Sequence, residues 1–590
     1  EKEKEKEKEE EEEKQKVGEV LPRGRERGGA ISPRNYLPRK VGARETPPLL
    51  RKQTGEEIVY MPTPDEETTL LKIVASDPFY TLTPEEKLLT WTARTYLLKY
   101  HPQSLPKILM SANWTLPSHS TEVYRLLEKW PPIGPLVALQ LLDARFSDPY
   151  VRQYGVGCLE QMTDLELEYY MLQLVQTLKH EAYDASPLCF FLFLRSVLNP
   201  RLLGHTLFWF LESEKDDEKL STRFRLFKKE LLLLFDEKFR NELLKQSAVV
   251  RQFVAIAKQI KEIKEREKRD ESLRSSLQSI SLEDFGLPMD PRIRTKGVII
   301  SQCKTMQSAT VPLFLTFKNA DDLGDKIRII FKVGDDLRQD ILTLQTIQVI
   351  DQIWKEANLS LFVTPYRVVA TGTNTGMIEV VPDSKTTADI HKECGGGALG
   401  ALKEDVLWSY LKNLPTTKDN ENLIRERFAL SCAAYCVITF TMGIGDRHND
   451  NIMLTSSGDL FHIDFGFIFG NYLKFIGMER ETTPFVLTRE MVYVIGGTNS
   501  PMWQKFVTTC CKAYVEIRKN SHLFMALFSL MLATGIPNLQ KVEDLNNFKD
   551  AMRLGITDQE AEKEFEELIK KSLKNTRVYL NNVAHILANG

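Results

Sequence analysis

Seven side chains in the C-terminal half of the chain have the types and spacing for handling phosphate. The stretch GIGDRHNDNIMLTSSGDLFHIDFG sets Asp446, Arg447 and His448 in a row, Asn451 five residues after the first acid, and Asp464 thirteen residues later at the head of an Asp-Phe-Gly turn. Carboxylate and amide oxygens are what a hard divalent cation such as Mg2+ binds, so Asn451 and Asp464 read as its ligands. Asp446 stands where an acid accepts the proton of an attacking hydroxyl. His448 stands beside it, where an imidazole takes that proton or, once protonated, stabilises developing charge; Arg447 completes the catalytic group. Upstream, IIFKVGDDLRQD ends a strand-type run with Lys332 and carries Asp340 on the element that follows. A strand lysine oriented by a helix acid grips the phosphates of a nucleotide. Alone, a histidine is more often structural and a lysine merely solvated; the shared register carries the reading. The chemistry implied is phosphoryl transfer from ATP with Mg2+.

Protein kinases write the corresponding loop as His-Arg-Asp. Here the triplet is reversed: the acid keeps its distance from the asparagine and the imidazole moves. The run MIEVV follows a strand and reads as a hinge, with the backbone of Glu379 and Val381 meeting adenine. Met306, Pro312, Ile330, Tyr366, Ile378, Met453 and Ile463 are candidates to line the purine slot, although apolar positions of this kind are also ordinary core.

These residues need a scaffold, and the chain has room for one. Its 590 residues exceed what one hydrophobic core supports. A net charge of −3 exerts no general pull on nucleic acid, so an anionic partner must be met by a local patch. The eight cysteines form no paired CxxC zinc pattern and fit free thiols in a reducing, cytoplasmic setting. No apolar run is long enough to span a bilayer. Residues 1–64 open with EKEKEKEKEEEEEKQK and read as low-complexity charge followed by a linker. From 65 to 245 short apolar helices recur, with Leu167, Met171, Leu174 and Leu178 on one stripe and Thr163 or Asp164 as N-cap; they predict an all-α helical-repeat solenoid. One charged helix is predicted over 246–275, within a linker that reaches a Gly/Pro boundary near 285 and ends at 290. Strand-type runs then fill 291–381, and 382–590 is mostly helical, ending in an amphipathic stretch. The predicted fold is multidomain: a helical solenoid followed by a two-lobed α+β kinase-like catalytic domain.

FKVGDDLRQD, GIGDRHNDNIM and LFHIDFG together resemble the phosphoinositide 3-kinase and 4-kinase superfamily. SCAAYCVITFTMGIGDRHNDN, TPFVLT and, in the helical block, DPFYTLTPEEKLLTW look most like class I phosphoinositide 3-kinase catalytic subunits. The resemblance covers roughly 70–590. It implies ATP-Mg2+ as donor, the 3-hydroxyl of a phosphoinositide headgroup at a membrane surface as acceptor, peripheral recruitment to plasma membrane or endomembranes, and no nucleic acid. A regulatory subunit or small GTPase would act through domains outside this sequence. Phe467 departs from the class I pattern, which has His there, as do Thr310 in place of a lysine and Phe314 in place of Trp. Phe467 and PYRVVAT favour a 4-kinase as the alternative; a Ser/Thr protein kinase related to this superfamily and an inactive helical scaffold are further ones. The substrate loop from Phe467 to Pro484 contains Lys474 and Arg480 as its cations and Glu479 and Glu481 as its acids, so its formal charge is zero.

Overall fold

The computed structural model describes residues 60–574, except 281, 283–284, 395–402, 416–419 and 533, and within 473–482 only the backbone of two short strands. Residues 1–59, and with them the charged opening segment, lie outside the described residues.

The region up to residue 234 is built of short helices because the sequence starts and stops them often. Thr63, Thr83 and Thr163 each cap a helix and close a capping box with the glutamate three residues on, Glu66, Glu86 and Glu166. The stripe Leu167, Met171, Leu174 and Leu178 is buried as expected, but Tyr170 divides it between helices Asp164–Tyr169 and Met171–Thr177. Helix α1, Glu237–Lys261, starts at Asp236, whose carboxylate accepts the Phe239 N–H at 2.9 Å. It passes 245 and 246 without a break. The single helix expected over 246–275 is instead two, α1 and α2 (Arg266–Gln278). The guanidinium of Arg269 caps the Ile263 carbonyl freed at the break.

The segment expected as a boundary near 285 already belongs to the sheet. Strand β1 (Phe285–Leu287) pairs with β2 (Asp290–Val298) and is buried. With β3 (Lys304–Thr305), β4 (Leu313–Asn319), β5 (Ile327–Val333), β6 (Val368–Gly372) and β7 (Thr375–Glu379), they make an antiparallel sheet of order β1-β2-β4-β5-β7-β6, with β3 on β4. Its two faces separate by alternation. Leu313, Leu315, Phe317, Ile329, Phe331 and Met377 are fully buried, and Phe331 meets Phe253 of α1 edge-on at 5.5 Å. Ile330, Lys332 and Ile378 alternate with them and are only half-buried; this is the cleft face. Helix α3 (Arg338–Glu356) follows β5.

The C-terminal lobe is organised on α4 (Glu421–Thr441), which is buried along most of its length. Phe440 of α4, Tyr514 of α5 (Pro501–Lys519) and Phe565 of α6 (Asp558–Lys574) share one aromatic cluster. A small sheet of β8 (Ser384–Thr386), β9 (Ile452–Thr455) and β10 (Leu460–His462), order β10-β9-β8, lies over it. No helix among the described residues is long and apolar enough to cross a membrane, and the eight cysteines are free thiols.

His205 ties the helical region to α1: its Nε2 lies 3.0 Å from Gln246 Oε1, with Trp209 Nε1 3.2 Å away. Burial pushes its pKa from 6.5 down to about 4. The unfolded chain therefore takes up a proton as pH falls through 6.5, and the fold does not until about 4. Stability is full above pH 6.5 and is expected to fall by about 3 kcal/mol down to pH 4 from this group. Urea unfolding across that range checks it; His205→Gln, which cannot titrate, should make the loss smaller by that amount.

Candidate active site

Two neighbouring turns carry the chemistry-bearing residues. After α4 the chain runs antiparallel to the segment that follows Asp464: Gly445 N–H meets the Phe467 carbonyl at 3.0 Å, Gly470 N–H that of Gly443 at 3.0 Å, and Phe469 N–H that of Met442 at 2.8 Å. The approach is close enough that a Cβ on Gly443 would lie 2.6 Å from Gly470 N. The β9–β10 hairpin, with Ile452 opposite His462, continues through Ile463 N–H to the Asn451 carbonyl at 3.1 Å. Asn451 and Asp464 are thereby brought to one end of it.

Asp446 and Asp464 both sit in the left-handed region, at φ 56° and 61°, which costs a non-glycine residue about 1 kcal/mol or more. The structure holds them there through Arg447. Its guanidinium donates to the carbonyls of Gly445 (2.7 Å), Ile463 (2.7 Å) and Asp464. From Ile463 to Phe467 every carbonyl has a partner: Arg447 for the first two, Gln339 Nε2 for Phe465 (2.8 Å), Asn538 Nδ2 for Gly466 (2.9 Å), and Gly445 N–H for Phe467. Asp340 accepts the Phe465 N–H at 3.2 Å. Arg447, expected among the catalytic groups, is turned inward and buried, its guanidinium bonded to the carbonyls of Gly445, Ile463 and Asp464.

His448 lies between hydrogen-bond donors and two carboxylates. Asp450 N–H faces Nδ1 at 3.2 Å and the Asn451 amide faces Nε2 at 3.1 Å. The carboxylates of Asp446 and Asp450 lie farther out, at 3.7 and 3.9 Å. The ring thus has donors for its lone pair, and a carboxylate on either side once it carries a proton. Asn451 Nδ2 donates to the Asp446 carbonyl at 2.9 Å, which leaves its oxygen as the end for a cation. Asp464 is exposed and spends one carboxylate oxygen on Gly466 N–H at 3.3 Å. No group of three His, Cys, Asp or Glu side chains among the described residues is arranged to hold a metal. An amide oxygen and a carboxylate suit the alternative, a magnesium ion that completes its shell with water and phosphate.

Across the cleft, Lys332 and Ile330 share the half-buried face of β5, and Ile378 lies directly opposite Ile330. Lys332 Nζ pairs with Asp335 at 3.5 Å; the expected partner, Asp340, is engaged with the Phe465 backbone. Burial and the adjacent Asp464 carboxylate push Asp340 up to about 6, with nearby Lys332 pulling the other way. The turn over the cleft is closed by Met306 N–H on the Pro312 carbonyl at 2.9 Å. Thr310 Oγ1 lies 3.3 Å from Asp335, and Val311 is held at φ 51°, a genuine outlier for a β-branched residue. At the hinge Glu379 N–H bonds Arg367 and Val380 N–H bonds Arg328 on the opposite side. Met453 and Ile463, both half-buried, come from the lower lobe. Tyr366 is buried near Asp340 and Asp464, and also borders a separate cavity of about 340 Å³ between the helical region and the upper lobe. The side chains of Lys474 and Arg480 lie outside the described residues. Sequence reasoning missed Gln339, although it directly precedes Asp340.

A model of the family described as phosphatidylinositol 3- and 4-kinase matches residues 326–541, and one of the phosphoinositide 3-kinase accessory (PIK) domain matches 60–245. The chain is 43% identical over 544 residues, 92% of its length, to phosphatidylinositol 3-kinase 3 of Dictyostelium discoideum. It is 38% identical over 536 residues, 89% of its length, to the human phosphatidylinositol 4-phosphate 3-kinase C2 domain-containing subunit beta. It spans 32% of each of these proteins. Asp464→Asn and Lys332→Ala are each expected to lower ATP turnover by roughly 10³-fold, about 4 kcal/mol in the barrier. Near-normal turnover in either folded variant would remove that residue from the site.

Proposed function

Because its residues 60–245 and 326–541 make this chain a member of the phosphatidylinositol 3- and 4-kinase family, we propose that it is a lipid kinase transferring the γ-phosphate of ATP to the 3-hydroxyl of a phosphoinositide headgroup. The observation that carries the reading is the joining of Asp446, His448, Asn451 and Asp464 at one end of the β9–β10 hairpin, opposite Lys332, in a chain whose relatives are named as 3-kinases.

The residues divide the work. The hinge backbone at Glu379 and Val381 orients the base, and Ile330, Ile378 and Met453 sandwich it. Lys332 exchanges Asp335 for phosphate oxygens, which develop more charge in transfer than Asp335 carries. Asn451 and Asp464 are the groups that would hold Mg2+, which when bound neutralises phosphate charge. His448 takes the hydroxyl proton, with Asp446 beside it to stabilise the imidazolium. Asp340 and Gln339 keep the turn bearing Asp464 in place.

Phosphatidylinositol or its 4-phosphate would be phosphorylated at least as well as the 4,5-bisphosphate. Each added phosphate calls for basic side chains, and the stretch from Phe467 to Pro484 balances two cations with two acids. One relative carries phosphatidylinositol 4-phosphate in its name. The chain would meet this substrate as a peripheral protein at a membrane surface. Initial rates on the three lipids in vesicles of matched surface charge, with the phosphorylated position identified by mass spectrometry, test the proposal. Phosphatidylinositol or its 4-phosphate should match or exceed the 4,5-bisphosphate, and Glu479→Lys should shift preference toward the latter. Product at the 4-position would replace the reading with that of a 4-kinase. His448→Ala is expected to lose roughly 10²–10⁴-fold in kcat; a fully active variant would make the ring structural.

A further inference from the structure

Three consecutive residues at the start of α3 reach in two directions. Gln339 and Asp340 hold the Phe465 peptide at its carbonyl and its N–H. Arg338, one residue earlier, points away from the cleft. Its guanidinium is braced by Asp336 at 2.7 Å and donates to Glu214 Oε1 of the helical region at 2.9 Å and to the Thr534 carbonyl of the lower lobe at 3.2 Å. Glu214 is buried, its side chain 3% exposed. It also accepts from Gln176 Nε2 at 2.6 Å and from Lys179 Nζ at 2.8 Å. Lys179 in turn pairs with Asp217 at 3.0 Å and reaches the same Thr534 carbonyl at 3.3 Å. One buried carboxylate of the helical region thus faces two cations, and both cations also meet a single carbonyl of the lower lobe.

We propose that Glu214 is a positioning residue for the phosphoryl-transfer site: through Arg338 it fixes the seating of α3, and with it the two hydrogen bonds that hold the Phe465 peptide and the adjacent Asp464. This rests on the reading of Asp464 as a metal ligand. The reasoning is geometric. A helix is stiff over one turn, so a shift at Arg338 carries Gln339 and Asp340 with it. A buried ion pair has two discrete states, made or broken, because an unpaired buried charge is strongly disfavoured. The helical region would therefore do more than support the lobes; it would set the register of the turn that bears Asp464.

The test is hydrogen–deuterium exchange at the Phe465 amide in the whole chain, together with ATP kinetics. Glu214→Gln keeps the shape and removes the charge. We expect Phe465 exchange to accelerate roughly tenfold while amides within α4 keep their protection, and kcat to fall with the KM for ATP changed much less. Arg338→Gln should give the same pattern, and the double variant should add little to either single one. Asp164→Asn, which breaks a 2.6 Å bridge to Arg195 within the helical region, should leave Phe465 exchange unchanged. Unaltered Phe465 exchange in Glu214→Gln, additive effects in the double variant, or equal acceleration throughout the fold would each overturn the proposal. If Glu214→Gln does not fold, Glu214→Asp decides: intermediate acceleration at Phe465 is expected, and none overturns it. Full turnover in Asp464→Asn would remove the metal reading yet leave the exchange result intact, so the two failures are distinguishable.

Discussion

The site depends on one inward-turned side chain, the guanidinium of Arg447. Two aspartates in left-handed backbone would not stay there unaided, and they lie on different turns. Arg447 meets the carbonyl before the first and the carbonyls before and after the α-carbon of the second at once. A planar fork with five donors can do this; a lysine ammonium, compact and strongly hydrated, cannot reproduce it. Hydrogen bonds from a charged donor contribute more than neutral ones, about 1.5–3 kcal/mol each, enough to offset the backbone strain. This also makes physical sense of the reversed triplet: with the arginine directly after the acid, Asp446 and His448 flank a residue committed inward.

The second constraint is the separation of faces in the upper sheet. One face is closed by α1 through Phe253 and Phe331, and the other is left half-open with Ile330, Lys332 and Ile378 exposed to the cleft. A helix belonging to the solenoid side of the chain thus completes the core of the upper lobe. The helical region and the upper lobe therefore share a core, and α1 runs unbroken through 245, where the accessory-domain match ends.

What was legible in the sequence was whatever depends on local order. Strands β4 to β7 of the upper lobe, the start of α3 and the grouping of Asp446, His448, Asn451 and Asp464 follow from period and spacing, which survive without a partner. The interruption of a helix by an arginine on its far side, as at Ile263 and Arg269, leaves no periodic trace. Nor does the choice of partner for Lys332, which pairs with Asp335 because Asp340 is drawn to the Phe465 peptide. Gln339 was overlooked because a glutamine between charged residues looks solvated. Glu214 could not be found at all from local pattern, since Arg338 is far away along the chain. Lys474 and Arg480 follow from the resemblance, which places the substrate loop there, and from their charge; their side chains lie outside the described residues.

The run of engaged carbonyls from Ile463 to Phe467 bears on which small molecules this cleft can accept. Swinging Phe465 out of its pocket would release five carbonyl bonds and the amide bond to Asp340 together. At about 1 kcal/mol net for each, the swung-out state is roughly four orders of magnitude rarer than the one seen. A compound that needs that state loses the same factor in apparent affinity. Under the proposed function, the ligands favoured would be those that fit the space between Ile330, Ile378 and Met453 with Phe465 in place.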